Sequence, residues 1–175
     1  ERLCSATSDI LVGQASDSST LLGPVIDEES QKRILSYITQ AEKENKLAYK
    51  GSVPNTGYFV PATIFRDVPT QSSLWREEIF GPVVTIQPFE TEAEVLKYAN
   101  SVRYGLAATI WTENLSVAHR VAAQIEAGIV WINCWLLRDL RTPFGGVKDS
   151  GMGREGGFEA LRFFTEEKNV CVKLN

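Results

Sequence analysis

The chain has 175 residues, 43% of them hydrophobic and 23% charged, the balance of a soluble globular domain rather than a disordered segment. Its formal net charge of −4, with Lys and Arg scattered along the chain, argues against the clustered basic face that a nucleic-acid partner requires. No apolar run approaches the roughly 18–20 residues that span a bilayer, and the start lacks the pattern of a secretory leader, so cytoplasmic or organelle-matrix residence is the expectation.

Taken in order, residues 1–9 have the character of the later part of an amphipathic helix whose beginning lies elsewhere, which suggests a fragment of a longer protein. Ile10 to Gly13 ends that helix or forms a short extended piece. Asp27 is placed to cap a helix in which Ile34, Leu35, Ile38 and Ala41 recur at helical spacing to about Asn45. After the turn Pro54-Asn55-Thr56-Gly57, the runs Tyr58 to Val60 and Thr63 to Phe65 read as extended, broken at Pro61. Val83 to Phe89 reads as a strand. Thr91, with Glu94 three residues on, reads as the capping box of a helix that turns Val95, Leu96 and Ala99 inward.

Leu106 to Thr112 is then expected as a strand and Leu115 to Glu126 as a helix, with Gly128 as its left-handed stop. The apolar run Gly128 to Asn133 has the pattern of a strand covered on both faces. A Gly-rich loop from Pro143 to Gly153 follows, then a helix from about Glu155 to Phe164. Asn169 to Leu174 alternates as a separate terminal strand. The fold class implied is α/β, an open and mainly parallel sheet flanked by helices, with that C-terminal strand standing apart. By organisation, residues 1–168 read as one domain portion and residues 169–175 as a separate strand placed to pair with another chain.

The cysteines Cys4, Cys134 and Cys171 are odd in number and widely spaced, and His119 is the only histidine. That pattern excludes a zinc ribbon, gives no metal site and makes a disulfide framework unexpected. His119 falls inside a helical pattern, on an exposed or half-buried side, and is not assigned catalysis.

The segment Arg76-Glu77-Glu78-Ile79-Phe80-Gly81-Pro82-Val83 is the most informative stretch. Two carboxylates lead into an apolar pair and a Gly-Pro turn directly ahead of a strand, a place where a polyhydroxy ligand such as a ribose can be held. It is followed in order by Tyr104-Gly105-Leu106-Ala107-Ala108, by Gly128-Ile129-Val130-Trp131-Ile132-Asn133, and by Pro143-Phe144-Gly145-Gly146-Val147-Lys148 running on to Gly153-Arg154-Glu155. These motifs, in this order, resemble the C-terminal third of the NAD(P)-dependent aldehyde dehydrogenase superfamily, and the resemblance covers essentially the whole chain.

The resemblance implies an oxidoreductase that attacks an aldehyde with a cysteine thiolate, passes hydride to NAD or NADP and hydrolyses the thioester with a carboxylate base. It places the nucleophile, the base and the dinucleotide-binding domain upstream of these residues, so no catalytic residue is assigned here. The fragment alone is expected to be inactive and not to hold the cofactor by itself. Glu78 matches the carboxylate that accepts from the nicotinamide-side ribose hydroxyls, and Phe80 matches the aromatic beside the nicotinamide. The competing reading makes Glu78 a loop cap and Phe80 a core residue. Gly145, Gly146, Gly151 and Gly153 are assigned to turns or close backbone approach. Asn133 is expected to end its strand and orient the funnel through backbone hydrogen bonds, and Arg154 with Glu155 to form a local ion pair at the helix start.

In the family, the run Cys134 to Thr142 walls the aldehyde tunnel, so Cys134, Trp135, Arg138 and Phe144 are the expected substrate-lining residues. Arg138 stands where a neutral substrate would be met by an apolar side chain. A guanidinium there suits a substrate carboxylate; the alternative pairs it with Asp139 or leaves it in solvent. This run looks most like 2-hydroxymuconic and 2-aminomuconic semialdehyde dehydrogenases, which implies an acidic semialdehyde as substrate. The other function class weighed is a non-catalytic module derived from the family, acting in oligomerisation or partner binding. The C-terminal strand implies a homo-oligomer.

Overall fold

Asp27 opens the longest helix in the way its position requires. Its backbone is extended, and its carboxylate accepts the Ser30 N–H at 2.7 Å, satisfying one of the free donors of the first turn. In the computed structural model, which describes residues 1–44 and 46–174, the chain divides into two compact units, Glu1–Glu90 and Thr91–Asn175.

The first unit begins with α1 (Arg2–Ser8) and then the Asp27-capped α2 (Glu28–Lys43). Ile34, Ile38 and Ala41 form one buried stripe on α2, and they pack with Val60, Phe65, Val68, Leu74 and Ile79 into the core of this unit. The helix ends at Lys43, and the expected terminus near Asn45 lies outside the described residues. Three strands, β1 (Leu47–Lys50), β2 (Thr63–Arg66) and β3 (Val83–Ile86), form a sheet in that order. β1 runs antiparallel to β2, and β2 parallel to β3 with Thr63 opposite Val83. As the central strand, β2 buries Thr63, Ile64 and Phe65 in succession, so both its faces are covered.

Two elements of this unit are not visible in the sequence pattern: β1, and the one-turn helix α3 (Ser73–Arg76) capped by Ser72. Conversely, residues 58–60 are not a strand. Pro61 offers no N–H to a ladder, and the carbonyls of Tyr58 and Phe59 are taken by the Val25 N–H and the Gln31 side chain. The strand expected from Val83 to Phe89 stops at Ile86.

The second unit opens with α4 (Glu92–Asn100), where the Thr91 hydroxyl accepts the Glu94 N–H at 3.2 Å. Val95 and Leu96 are half-buried, but Ala99 is exposed, so the inward face is narrower than expected. There follow β4 (Tyr104–Gly105), β5 (Ala107–Ile110), α5 (Leu115–Ala122), β6 (Ile129–Ile132), β7 (Val147–Lys148) and α6 (Gly157–Phe163). β5 and β6 pair in parallel and β4 pairs antiparallel with β7, which gives the α/β class as small sheets with helices beside them.

α5 stops at Ala122, short of the expected Glu126, and Gly128 is not its left-handed stop. Glycine is required there for a different reason. A Cβ at Gly128 would lie 1.6 Å from the Gly145 carbonyl oxygen, so β6 begins by passing directly over the Gly-rich loop. β6 buries only Trp131 among its four residues and is half-covered rather than enclosed. Among the described residues, 165–174 join no ladder. Their alternation leaves Val170, Val172 and Leu174 at 73%, 72% and 86% exposure, because a strand exists only against a partner strand.

Candidate functional site

The segment Glu77 to Gly81 is an outward turn pinned from behind. Ile79 is buried in the core of the first unit, and its carbonyl accepts the Arg33 guanidinium of α2 at 2.8 Å. Gly81 lies flat against α2, where a Cβ would come within 2.7 Å of Ile34 Cδ1. Between these two anchors Phe80 adopts φ +58 and holds its ring 77% exposed, outside the core of the first unit. Glu78 is exposed, and among the described residues its carboxylate has neither a hydrogen-bond donor nor an ion-pair partner. Glu77, Glu78 and Phe80 border an open cavity of about 420 Å³ ahead of β3.

A carboxylate without a partner, beside an aromatic face held outward, has the chemistry to accept two vicinal hydroxyls and to flank a flat ring. These residues fit the ribose and nicotinamide end of a dinucleotide. Arg33 is absent from any motif. Only its helical spacing from the buried Ile34 and Ile38, which sets it at the edge of the inward stripe, hints at its role.

Cys134, Trp135, Arg138 and Phe144 lie in the second unit. β6 delivers this loop through Asn133, which has φ +53 and forms a reciprocal pair with Thr112. Asn133 Oδ1 accepts the Thr112 N–H at 2.8 Å, and Asn133 Nδ2 donates to the Thr112 carbonyl at 2.7 Å. Asn133 is held at the strand end by its side chain and by its backbone N–H, which donates to the Ile110 carbonyl at 2.8 Å. Trp131 crosses Trp135 edge-on at 5.3 Å between centroids, and its indole N–H donates to the Leu137 carbonyl at 2.8 Å. Cys134 is half-buried just after the strand, and Trp135 is exposed.

Arg138 does not pair with the adjacent Asp139, and its side chain remains partly open to solvent. Its guanidinium lies over the Phe144 ring at 4.3 Å, and its Nη2 donates to Glu155 Oε1 at 2.7 Å. Asp139 belongs instead to Arg141, which donates to both carboxylate oxygens and holds that carboxyl below the usual range. The expected Arg154–Glu155 pair does not form. Arg154 donates to the Gly146 and Gly153 carbonyls at 2.7 Å, bracing the Gly-rich loop. Glu155 is the residue that motif reading misassigned, since nothing in the sequence links it to a partner 17 positions earlier.

The glycines of this loop divide by reason. Gly151 and Gly153 have positive φ, whereas a Cβ on Gly145 or Gly146 would meet the Gly153 carbonyl oxygen or Ser150 within 2.5 Å. Cys4 lies on α1 with its thiol 3.9 Å from the Ala48 carbonyl, and Cys171 is exposed. Among the described residues no cluster of His, Cys, Asp and Glu could hold a metal, and no helix is long and apolar enough to cross a membrane.

A model of the aldehyde dehydrogenase family matches residues 1–170. The chain is 48% identical over 180 residues to a 2-hydroxymuconic semialdehyde dehydrogenase of Pseudomonas sp. (strain CF600), covering 99% of this chain and 37% of that protein. It is 42% identical over 182 residues to a 2-aminomuconic semialdehyde dehydrogenase of Homo sapiens, with 99% and 37% covered. Among solved structures, an aldehyde dehydrogenase of Bacillus cereus in complex with NAD+ superposes with a TM-score of 0.92 at 41% identity, over 99% of this chain and 36% of that one. The chain thus spans little more than a third of the length of the relatives it matches.

Proposed function

This chain belongs to the aldehyde dehydrogenase family, and from that premise we propose that the polypeptide carrying it oxidises an acidic semialdehyde to a carboxylate with NAD. The aldehyde carbon is attacked by a cysteine thiolate contributed from outside these residues. The adduct becomes a thioester on loss of its hydride, and water then releases the carboxylate and frees the thiol. Glu78 accepts the ribose hydroxyls and Phe80 restrains the nicotinamide, whose chemistry when bound is to accept the hydride. NAD is preferred to NADP on the strength of the NAD+ complex among its relatives. Trp135, Cys134 and Phe144 line the substrate's path, and Arg138 meets its carboxylate.

One observation carries the substrate class. Arg138 sits over the Phe144 ring and is bound to a protein acceptor through a single nitrogen, which leaves further N–H donors for a planar anion. The relatives named for muconic semialdehydes support the same reading. Kinetics of the complete enzyme test it. Arg138→Ala should raise KM for a carboxylated semialdehyde far more than for a neutral aldehyde of similar length, and equal effects on both would remove the acidic-substrate reading.

The segment 169–174 supports a second element of the proposal. Its exposed alternating apolar residues fit a strand that completes a sheet in another copy, making the enzyme a homo-oligomer. Residence in the cytoplasm belongs to the same reading, supported by three free thiols.

A further inference from the structure

We infer that Glu155 is the positioning residue for Arg138, holding one corner of the guanidinium so that its remaining donors are presented to the substrate carboxylate. This rests on the acidic-semialdehyde reading above. Phe144 and Glu155 are directly opposed in an isolated antiparallel bridge, each N–H donating to the other's carbonyl at 2.7 Å. Residues opposed in this way send their side chains to one face, and there Arg138 meets both. The aromatic ring supports the guanidinium on one side at 4.3 Å, and the carboxylate holds one of its nitrogens through a 2.7 Å bond.

The neighbouring arginine shows why a single bond matters. Arg141 spends its Nε and Nη2 on both oxygens of Asp139, so its fork is already filled. Arg138 spends only Nη2, and among the described residues its other N–H groups have no acceptor. Of the two arginines in this loop, Arg138 is therefore the one able to take a second carboxylate. The Arg138–Glu155 pair is half-open to solvent, with side-chain exposures of 40% and 65%, and exposed pairs add little to stability. Its consequence lies in orientation: Glu155 holds one corner of the guanidinium in place.

The test is the ratio of kcat/KM for a carboxylated semialdehyde to that for a neutral aldehyde of equal length, measured on the complete enzyme. Any effect of a variant on folding, on the cofactor or on the shared chemistry cancels in this ratio. Arg138→Ala should lower it by about 10- to 100-fold, the worth of a charge-assisted hydrogen bond. Glu155→Ala should lower it by about three- to tenfold, and Glu155→Gln, whose amide oxygen still accepts from the guanidinium, should retain more of it than Ala does. In an Arg138→Ala background, Glu155→Ala should change the ratio no further. The inference is overturned if Arg138→Ala lowers the ratio while Glu155→Ala leaves it at the wild-type value, or if Gln retains no more than Ala. A ratio untouched by Arg138→Ala would instead overturn the acidic-substrate reading beneath it.

Discussion

Arg33→Met isolates the anchor that sets the Glu78–Phe80 turn, because methionine keeps an apolar stem but cannot donate to the Ile79 carbonyl. Holding Phe80 at φ +58 costs about 1–2 kcal/mol. Two restraints oppose that cost. Burial of the Ile79 side chain contributes about 1.5–3 kcal/mol, and the 2.8 Å bond from the Arg33 guanidinium about the same. With both in place the restraints exceed the strain by a few kcal/mol, so the turn has one conformation. Without Arg33 the remaining restraint and the strain nearly balance, and the turn samples conformations in which Phe80 is no longer outward.

The expected outcome is a stability loss of about 1.5–3 kcal/mol in urea denaturation, with a three- to tenfold weaker Kd for the dinucleotide by titration calorimetry on the complete enzyme. Turnover at saturating cofactor should change little, since the bound state restores the turn. A variant that loses the stability but binds the dinucleotide as tightly as wild type would refute the link between this anchor and the cofactor. So would a fall in saturated turnover with an unchanged Kd.

Three further outcomes follow from the same geometry. Gly128→Ala places a methyl 1.6 Å from the Gly145 carbonyl oxygen and forces β6 off the Gly-rich loop, with an expected loss of about 3 kcal/mol or more in urea denaturation; a loss under 1 kcal/mol would contradict the close approach. The Ser30 N–H holds the Asp27 carboxyl below its ordinary value, so this cap's stabilisation is present above about pH 4, the unfolded carboxyl range, and is lost as pH falls through the lower folded value. Asp27→Asn keeps an acceptor at the cap but does not titrate, and it should flatten the acid limb of thermal melts below pH 4; an unchanged limb would count against the cap's contribution. Deleting residues 169–175 from the complete enzyme should lower the mass seen by sedimentation, and an unchanged mass would exclude this strand from assembly.

The elements that could be read from sequence are those whose local chemistry decides them. Asp27 and Thr91 name their helices because a side-chain oxygen three residues before a free N–H is a local arrangement. β2 could be read from Thr63-Ile64-Phe65 because a central strand is apolar throughout. What could not be read depends on partners far along the chain. β1 is mostly exposed and exists because β2 lies beside it. Gly128 looks like a helix stop by its position after α5, yet its reason is Gly145, 17 residues on. The Arg138–Glu155 pair spans the same separation, and the adjacent Asp139 and Arg154 offered nearer partners that the fold assigns elsewhere.

Much of the backbone strain among the described residues falls in the two segments that carry the candidate site residues. Among the described residues five non-glycine positions have positive φ, and three of them, Phe80, Asn133 and Leu136, belong to the turn and the loop assigned to cofactor and substrate. Each has a restraint beside it. Phe80 follows the Arg33-bound Ile79, Asn133 is locked to both backbone groups of Thr112, and Leu136 precedes the carbonyl held by the Trp131 indole. A left-handed residue other than glycine costs about 1–2 kcal/mol, and a loop with no geometric demand on it would relax. Strain persists only where neighbouring contacts over-determine it, and at these positions those contacts fix where a side chain is presented. Phe80 is turned out beside Glu78 by that cost, and the chain leaving Asn133 is directed so that Arg138 reaches Phe144. The loop is therefore ordered without a ligand, and on the proposed reading an anionic substrate would not spend affinity on ordering it.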